Sequence, residues 1–154
     1  MAVSPKQRFR IDWVLVNQLA VGPAPRTPQH LQKLADSGVG SVLSLCSHQE
    51  APPPEGLNTR FACERLVLPD HRSGRPPRLE ELRHALGLME QLHQAHGPVF
   101  VHCVAAMERS PLVCMGWLVQ QHKLSPTEAL DYIMQVHPGT NPLPAQLALL
   151  KELV

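Results

Sequence analysis

The spacing of hydrophobic and polar residues divides the chain into short buried runs and longer amphipathic stretches. Apolar positions recur every three or four residues through 79–96, which predicts a long helix with one buried face. Short apolar runs rich in Val and Leu predict core strands. These runs are 41–45, 65–68 and 98–102, and residues 12–22 predict a further pair of short strands.

Residues typical of helix ends predict the remaining helices. Thr27 suits an N-cap, Pro28 fits the first helical position and Gly38 fits a C-terminal cap. Ser125 and Glu128 have the spacing of a capping box. The predicted helices span 26–38, 111–121, 125–136 and 144–153.

The order of these elements predicts the fold class. Strands that alternate with helices favour an α/β fold with a central, mostly parallel sheet flanked by helices. We expect residues 1–154 to form one domain, because the length suits a single core and no shift in composition marks a boundary. Ligands of such sheets bind beyond the carboxyl ends of the strands. The strand predicted at 98–102 ends directly before Cys103, so we expect functional residues there.

Composition narrows the classes of function. Hydrophobic residues make up 44% of the chain and the net charge is +1, so neither disorder nor binding to nucleic acid or an anionic membrane is indicated. The apolar runs are too short to span a bilayer, and residues 1–13 contain no apolar signal core. The four cysteines form no C-x-x-C pair, which disfavours zinc and thioredoxin-like sites. We therefore expect a cytoplasmic protein with reduced thiols.

The stretch VFVHCVAAMERSPLVC, residues 99–114, carries the candidate chemistry. A turn between a strand and a helix directs backbone N–H groups and the positive end of the helix dipole into one hollow, which suits phosphate. Arg109 can clamp two phosphate oxygens, and the same field favours the thiolate of Cys103, a nucleophile. Ser110 is placed to donate a hydrogen bond to the sulfur. We expect His102 to orient the loop by hydrogen bonding to the backbone of the loop.

The pattern His-Cys-x5-Arg-Ser resembles the signature of the cysteine-dependent protein tyrosine and dual-specificity phosphatases. In that family the cysteine attacks phosphorus and forms a phosphocysteine. An upstream aspartate protonates the leaving oxygen and later activates the hydrolytic water. Asp70, in LVLPDHRSGRPP, lies at the corresponding distance before Cys103 and follows a predicted strand. The resemblance thus implies Asp70 as general acid on a loop that closes over substrate.

The resemblance implies a small, atypical dual-specificity phosphatase with a three-layer domain, active without metal or cofactor. Its substrates would be phosphotyrosine and phosphoserine or phosphothreonine in proteins, and we expect a monomer. A phosphoinositide is less favoured, because the loop offers no Lys or Arg for extra phosphates before Arg109. The amides expected to bind phosphate belong to Val104, Ala105, Ala106, Met107, Glu108 and Arg109.

A second segment, HPGTNPLPAQL, also looks like a dual-specificity element. In the family this segment sometimes carries polar residues that position water, which makes Asn141 and Gln146 supporting candidates. A plain loop followed by a helix cap is the alternative and is slightly favoured. Arg72, Arg75 and Arg78 either guide an anionic substrate or belong to a solvated loop.

Two positions depart from the family pattern, which usually has Gly where this chain has Ala106 and often where it has Glu108. If residue 106 is left-handed, Ala costs about 1–2 kcal/mol relative to Gly. Glu108 adds negative charge beside an anion site. A weakly active or inactive phosphoprotein-binding relative is therefore an alternative. A cysteine-dependent sulfurtransferase and an RNA 5′-phosphatase are weaker ones.

Cys46 is a candidate redox partner of Cys103. The two cysteines follow predicted strands, and neighbouring parallel strands would place both thiols at one sheet edge. A nearby thiol can trap an oxidised catalytic cysteine as a disulfide, as happens in some members of the family resembled. Cys63 and Cys114 are expected to be buried structural thiols.

Overall fold

A computed structural model describes residues 8–154, which contain five strands and six helices. The strands are β1 (Asp12–Leu15), β2 (Leu19–Gly22), β3 (Ser41–Ser44), β4 (Ala62–Arg65) and β5 (Val99–His102). The helices are α1 (Pro28–Asp36), α2 (Leu57–Arg60), α3 (Leu79–His96), α4 (Arg109–His122), α5 (Pro126–Val136) and α6 (Pro144–Glu152).

The sheet places the end of β5 between two parallel neighbours. Its strand order is β1-β2-β5-β3-β4, and β1 is the antiparallel strand at one edge. Gly22 of β2 and Ser44 of β3 both align with His102 of β5. Three carboxyl ends therefore meet where Cys103 follows, and the predicted mostly parallel α/β sheet is confirmed.

Both faces of the sheet are covered by helices. Helices α3 and α4 pack on one face through a large apolar cluster, and α1 and α2 cover the other around Phe100. Helix α4 is buried from Arg109 through Val119. Gly116 allows α4 to pack closely against neighbouring leucines, since a Cβ at this position would lie 3.3–3.4 Å from side-chain carbons of Leu82, Leu86 and Leu153. The start of α4 is therefore fixed by the core.

The predicted helix caps are present. The Thr27 side chain accepts a hydrogen bond from the backbone N–H of His30, and Gly38 follows α1 with a φ of +89°. Ser125 and Glu128 form the expected capping box at α5. These signals are local, which explains why the sequence located them.

The strand predicted at 65–68 was misplaced: β4 spans Ala62–Arg65. This is an edge strand with an exposed Glu64, so its apolar signal is weak and its register is set by pairing with β3. Leu66 and Leu68 still donate backbone hydrogen bonds to Ser44 and Leu45, at 2.9 and 3.1 Å, as the chain leaves the sheet. The short helix α2 was not predicted.

Two expectations concern the chain ends and membranes. The absence of a signal core was inferred partly from residues 1–7, which lie outside the described residues, so it stays a prediction, as does the single domain over 1–154. Within residues 8–154, none of the helices combines the length and apolar character that a bilayer span requires.

Candidate active site

The cysteine loop, residues 103–108, joins the end of β5 to the start of α4. The thiol sulfur of Cys103 lies 3.2 Å from the hydroxyl oxygen of Ser110 in the first turn of α4. Both residues are buried. The hydroxyl is therefore within hydrogen-bond distance of the sulfur, and its donation to the departing sulfur stays a prediction.

Four backbone carbonyls of the cysteine loop accept hydrogen bonds from three places in the fold, which are the end of β5, the chain after β2 and the segment 137–141. The acceptors and donors are Cys103 O with His102 Nδ1 at 2.9 Å, Val104 O with the Ala24 amide at 3.1 Å, Ala106 O with His137 Nε2 at 2.6 Å and Met107 O with the Asn141 amide at 2.8 Å. In a trans peptide the C=O and the following N–H point in opposite directions. The N–H groups of residues 104, 105, 107 and 108 therefore face away from these donors, which is the arrangement of an anion-binding nest.

His102 orients this loop in its neutral form. Burial lowers its pKa to about 4. Its Nδ1–H donates to the carbonyl of Cys103, and its Nε2 accepts from the Ser44 hydroxyl at 2.7 Å. A hydroxyl can donate and a carbonyl can only accept, so one tautomer satisfies both contacts. Sequence reasoning placed His102 here but missed Ser44.

Ala106 has the left-handed backbone that the sequence analysis considered, with a φ of 60°. Its side chain is buried. Glu108 turns its carboxylate toward neighbouring elements: His71 Nδ1 lies 2.5 Å from one oxygen, and Gln146 Nε2 lies 3.3 Å from the other. The negative charge of Glu108, which was expected beside the anion site, is therefore in contact with His71 and Gln146.

Arg109 is held almost completely inside the protein, with its side chain 5% exposed. Its Nη1 donates to the carbonyl of Leu68 at 3.2 Å, and both Nη atoms bond to the Glu50 carboxylate, at 3.2 and 2.9 Å. The hydrogen bond from Arg109 lowers the pKa of Glu50. This carboxylate therefore fixes the guanidinium next to the cysteine loop.

Glu50 was missed by sequence reasoning, although a signal for its local structure exists. Ser47 and Glu50 have capping-box spacing, and each side chain accepts the backbone N–H of the other residue, at 2.8 and 3.2 Å. That spacing predicts a turn beginning at Ser47. Contact with Arg109, 59 positions away in sequence, is a matter of tertiary structure.

Asp70 belongs to the aspartate loop, residues 69–77, and its carboxylate lies 3.8 Å from Arg109 Nη2. Burial raises the pKa of Asp70, but hydrogen bonds from the backbone and side chain of Arg72 and from Ser73 outweigh it, so the pKa lies below its ordinary value. The Arg72 side chain contacts Asp70 at 3.0 and 3.1 Å. The contacts of Asp70 in this conformation thus favour its ionised form.

A pocket of about 400 Å³ opens beside Asp70 and Arg109. Arg72 and Arg75 line it, whereas Arg78 lies at the N-cap of α3. Arg75 is also bonded to Glu81, at 2.7 and 2.9 Å. Two of these three arginines therefore line the pocket, and the choice between guiding an anionic substrate and belonging to a solvated loop stays open.

The supporting candidates contact the cysteine loop in different ways. Asn141 reaches it through the backbone amide, and its side chain is exposed. Gln146 is buried, accepts the Leu143 amide at 2.8 Å as a cap of α6, and donates to Glu108. Gln146 therefore forms the helix cap that was slightly favoured and also contacts Glu108 of the cysteine loop, while a role in positioning water stays a prediction.

Cys46 lies beside the site as a buried thiol, 4.0 Å from Nδ1 of His102. Burial raises its pKa, so the protonated thiol is favoured. Its pairing with Cys103 stays a prediction. Cys114 is buried in α4, as expected, whereas Cys63 is only partly buried because it lies on the edge strand β4.

Comparison with known proteins gives one family match. The model of the family "Dual specificity phosphatase, catalytic domain" matches residues 29–153. The "Phosphatidylglycerophosphatase and protein-tyrosine phosphatase 1" of Mus musculus is 39% identical to this chain, with 92% of this chain and 76% of that protein covered. The "Phosphatidylglycerophosphate phosphatase PTPMT2" of Arabidopsis thaliana is 21% identical, with 94% of this chain and 66% of that protein covered. The chain spans 37% of the related "Phosphatidylglycerophosphate phosphatase PTPMT1" of Arabidopsis.

Solved structures show the same fold. "PTPMT1 in complex with PI(5)P" superimposes with a TM-score of 0.80 at 23% sequence identity, and 93% of each chain is covered. Human DUSP28(Y102H) gives a TM-score of 0.74 at 24% identity, with 93% of this chain and 92% of that chain covered.

Proposed function

Because the chain belongs to the dual specificity phosphatase catalytic-domain family, we propose that it hydrolyses phosphate monoesters of proteins through a phosphocysteine on Cys103. The observation that carries the proposal is the cysteine loop, whose carbonyls are held outward while Cys103 lies 3.2 Å from Ser110. Such a loop offers amide N–H groups to a phosphate above the sulfur.

The proposed reaction has two displacements at phosphorus. The Cys103 thiolate attacks, the S–P bond forms and the P–O bond to the leaving group breaks, while Asp70 gives that oxygen a proton. Asp70, now a carboxylate, then takes a proton from water as the water attacks, and the S–P bond breaks to release phosphate. Ser110 donates to the departing sulfur, and Arg109 with the loop amides balances the charge of the equatorial oxygens.

Protonation of Asp70 depends on the substrate in this scheme. Without substrate, burial raises the pKa of Asp70, but hydrogen bonds from Arg72 and Ser73 outweigh it and hold that pKa below its ordinary value. A bound phosphate brings negative charge close to Asp70, which favours the protonated carboxyl. It also competes for Arg72, whose side chain is 65% exposed and able to move. Substrate binding thus prepares the general acid.

Phosphotyrosine and phosphoserine or phosphothreonine are the proposed targets, because the cysteine loop itself offers no basic side chain for additional phosphates. A phospholipid monoester is the second candidate. It is favoured by the name of the 39% identical mouse relative and by apolar side chains near the site, Val67, Met107 and Leu143, which are 48%, 44% and 36% exposed. The cytoplasmic location and monomeric state stay predictions.

Hydrolysis of an aryl phosphate in EDTA tests the mechanism. We expect turnover by the wild type, loss of turnover in Cys103→Ser, and retention in the matched control Cys63→Ser, which changes a partly buried thiol on β4. Activity that survives in Cys103→Ser would show that the cysteine is not the nucleophile. A wild type that binds phosphate without turnover would favour the inactive, phosphate-binding alternative, and persulfide formation with thiosulfate would favour a sulfurtransferase.

A comparison of substrates then separates the two candidates. Phosphotyrosine and phosphothreonine peptides are assayed beside phosphatidylglycerophosphate in mixed micelles. We expect a higher kcat/KM for the peptides. A kcat/KM at least tenfold higher for the lipid would overturn the assignment to proteins and leave the cysteine mechanism intact.

A further inference from the structure

His137 is a buried histidine that the sequence analysis did not assign to the site. It caps the end of α5 and is 3% exposed. Its ring lies between two groups: Nδ1 is 2.6 Å from a carboxylate oxygen of Asp12 on β1, and Nε2 is 2.6 Å from the carbonyl oxygen of Ala106 in the cysteine loop. The ring thus connects the edge of the sheet to the loop that carries the nucleophile.

The two partners fix the protonation state of this ring. A carboxylate and a carbonyl only accept hydrogen bonds, so the two contacts form together only with a ring that carries a proton on each nitrogen. Arg10 Nε donates to the same Asp12 oxygen at 3.1 Å, which keeps that oxygen an acceptor. His102 differs, because its second partner is a hydroxyl that donates.

The hydrogen bond between His137 and the carbonyl of Ala106 helps to set the direction in which the amides of the cysteine loop point. Ala106 is the left-handed residue of the loop, and its carbonyl is held by His137. The next carbonyl, that of Met107, is held by the backbone N–H of Asn141. One segment, residues 137–141, therefore fixes two successive peptide planes, and the N–H groups of residues 107 and 108 point away from it.

We propose that His137, as an imidazolium bonded to Asp12 and to the carbonyl of Ala106, is a positioning residue that holds the amides of the cysteine loop ready for phosphate. The inference rests on the proposed function of this loop. A charged donor forms a shorter and stronger bond than a neutral one, which suits the task of holding a left-handed residue.

Binding of inorganic phosphate to the full chain, measured by calorimetry, tests the proposal without requiring turnover. His137→Gln loses the charged donor, and we expect its phosphate Kd to rise about 10- to 100-fold, the cost of losing a hydrogen bond to a charged group. The matched control is Tyr132→Phe. The Tyr132 hydroxyl donates to Val14 O at 2.5 Å, so it joins α5 to β1 as His137 does without contacting the cysteine loop.

The two variants separate positioning from packing. We expect Tyr132→Phe to lower the Tm and to leave the phosphate Kd within twofold of the wild type. An unchanged Kd in His137→Gln, or an equal rise in both variants, would overturn the proposal. Wild-type protein that binds phosphate but hydrolyses no phosphate ester would refute the proposed function alone, because the Kd comparison still applies.

Imidazole ¹⁵N NMR of the wild type is a second test, which stands even where a variant does not fold. At neutral pH we expect both nitrogens of His137 to be protonated and His102 to carry one proton, on Nδ1. A single protonated nitrogen on His137 would overturn the proposal.

Discussion

Ala106→Gly measures how much backbone strain the cysteine loop stores. A left-handed backbone costs an L-residue about 1–2 kcal/mol, and glycine removes that cost at the φ of 60°. The same change deletes a buried methyl group, which contributes about 0.8 kcal/mol. It also makes the unfolded chain more flexible, which costs about 0.4–1 kcal/mol. We therefore expect the free energy of unfolding to stay within about 1 kcal/mol of the wild type.

Urea unfolding at neutral pH, with the m-value checked, gives this difference. Lys123→Gly is the matched control: Lys123 has a φ of 59° at the end of α4 but an exposed side chain, so the variant gains the same relief without losing a buried methyl. We expect it to be the more stable of the two variants. A gain above about 2 kcal/mol in Ala106→Gly would refute the reasoning, because it exceeds the cost of a left-handed alanine.

Three further variants test the charges around the site. Arg72→Gln removes side-chain hydrogen bonds that lower the pKa of Asp70, so this pKa rises. Because a general acid works while it is protonated, we expect the alkaline limb of the kcat/KM profile to move to higher pH. An unmoved limb would argue against Asp70 as the acid. Glu50→Gln weakens the support of Arg109, and we expect urea unfolding at neutral pH to show a loss of about 1.5–3 kcal/mol. Because the pKa of Glu50 is lowered in the folded protein, its contribution to stability is present above the ordinary carboxyl pKa and is lost as pH falls through the lowered value. The difference in unfolding free energy between Glu50→Gln and the wild type should therefore shrink in acid. A difference that stays constant with pH would contradict this reasoning. Glu108→Gln removes a charge that bonds the aspartate loop, and we expect faster amide exchange in that loop by mass spectrometry; unchanged exchange would show that the contact does not restrain it.

The two residues that depart from the family pattern, Ala106 and Glu108, each form hydrogen bonds with other elements of the structure. The left-handed Ala106 is anchored through its carbonyl by His137, and the Glu108 carboxylate is bonded to His71 and Gln146. Neither residue is therefore by itself a reason to expect a disrupted loop. The inactive alternative is decided by the turnover of the wild type.

Local patterns in the sequence determined much of this protein. Thr27, Ser125 and Glu128 marked helix starts, because a cap is made by hydrogen bonds within a few residues. The apolar run at 98–102 and the spacing from Cys103 to Arg109 located the strand, the loop and the following helix. The family resemblance, now shown, also followed from contiguous residues.

Tertiary structure alone decided what surrounds that loop. Glu50 meets Arg109 across 59 positions, and His137 meets Ala106 across 31 and Asp12 across 125. No local periodicity encodes such contacts, since they arise when separate elements pack on one sheet. The same reason accounts for β4, whose ends are set by pairing with β3 rather than by its own apolar residues. The sequence thus located the cysteine loop and the two elements that it joins, while tertiary packing determined which charged groups contact that loop.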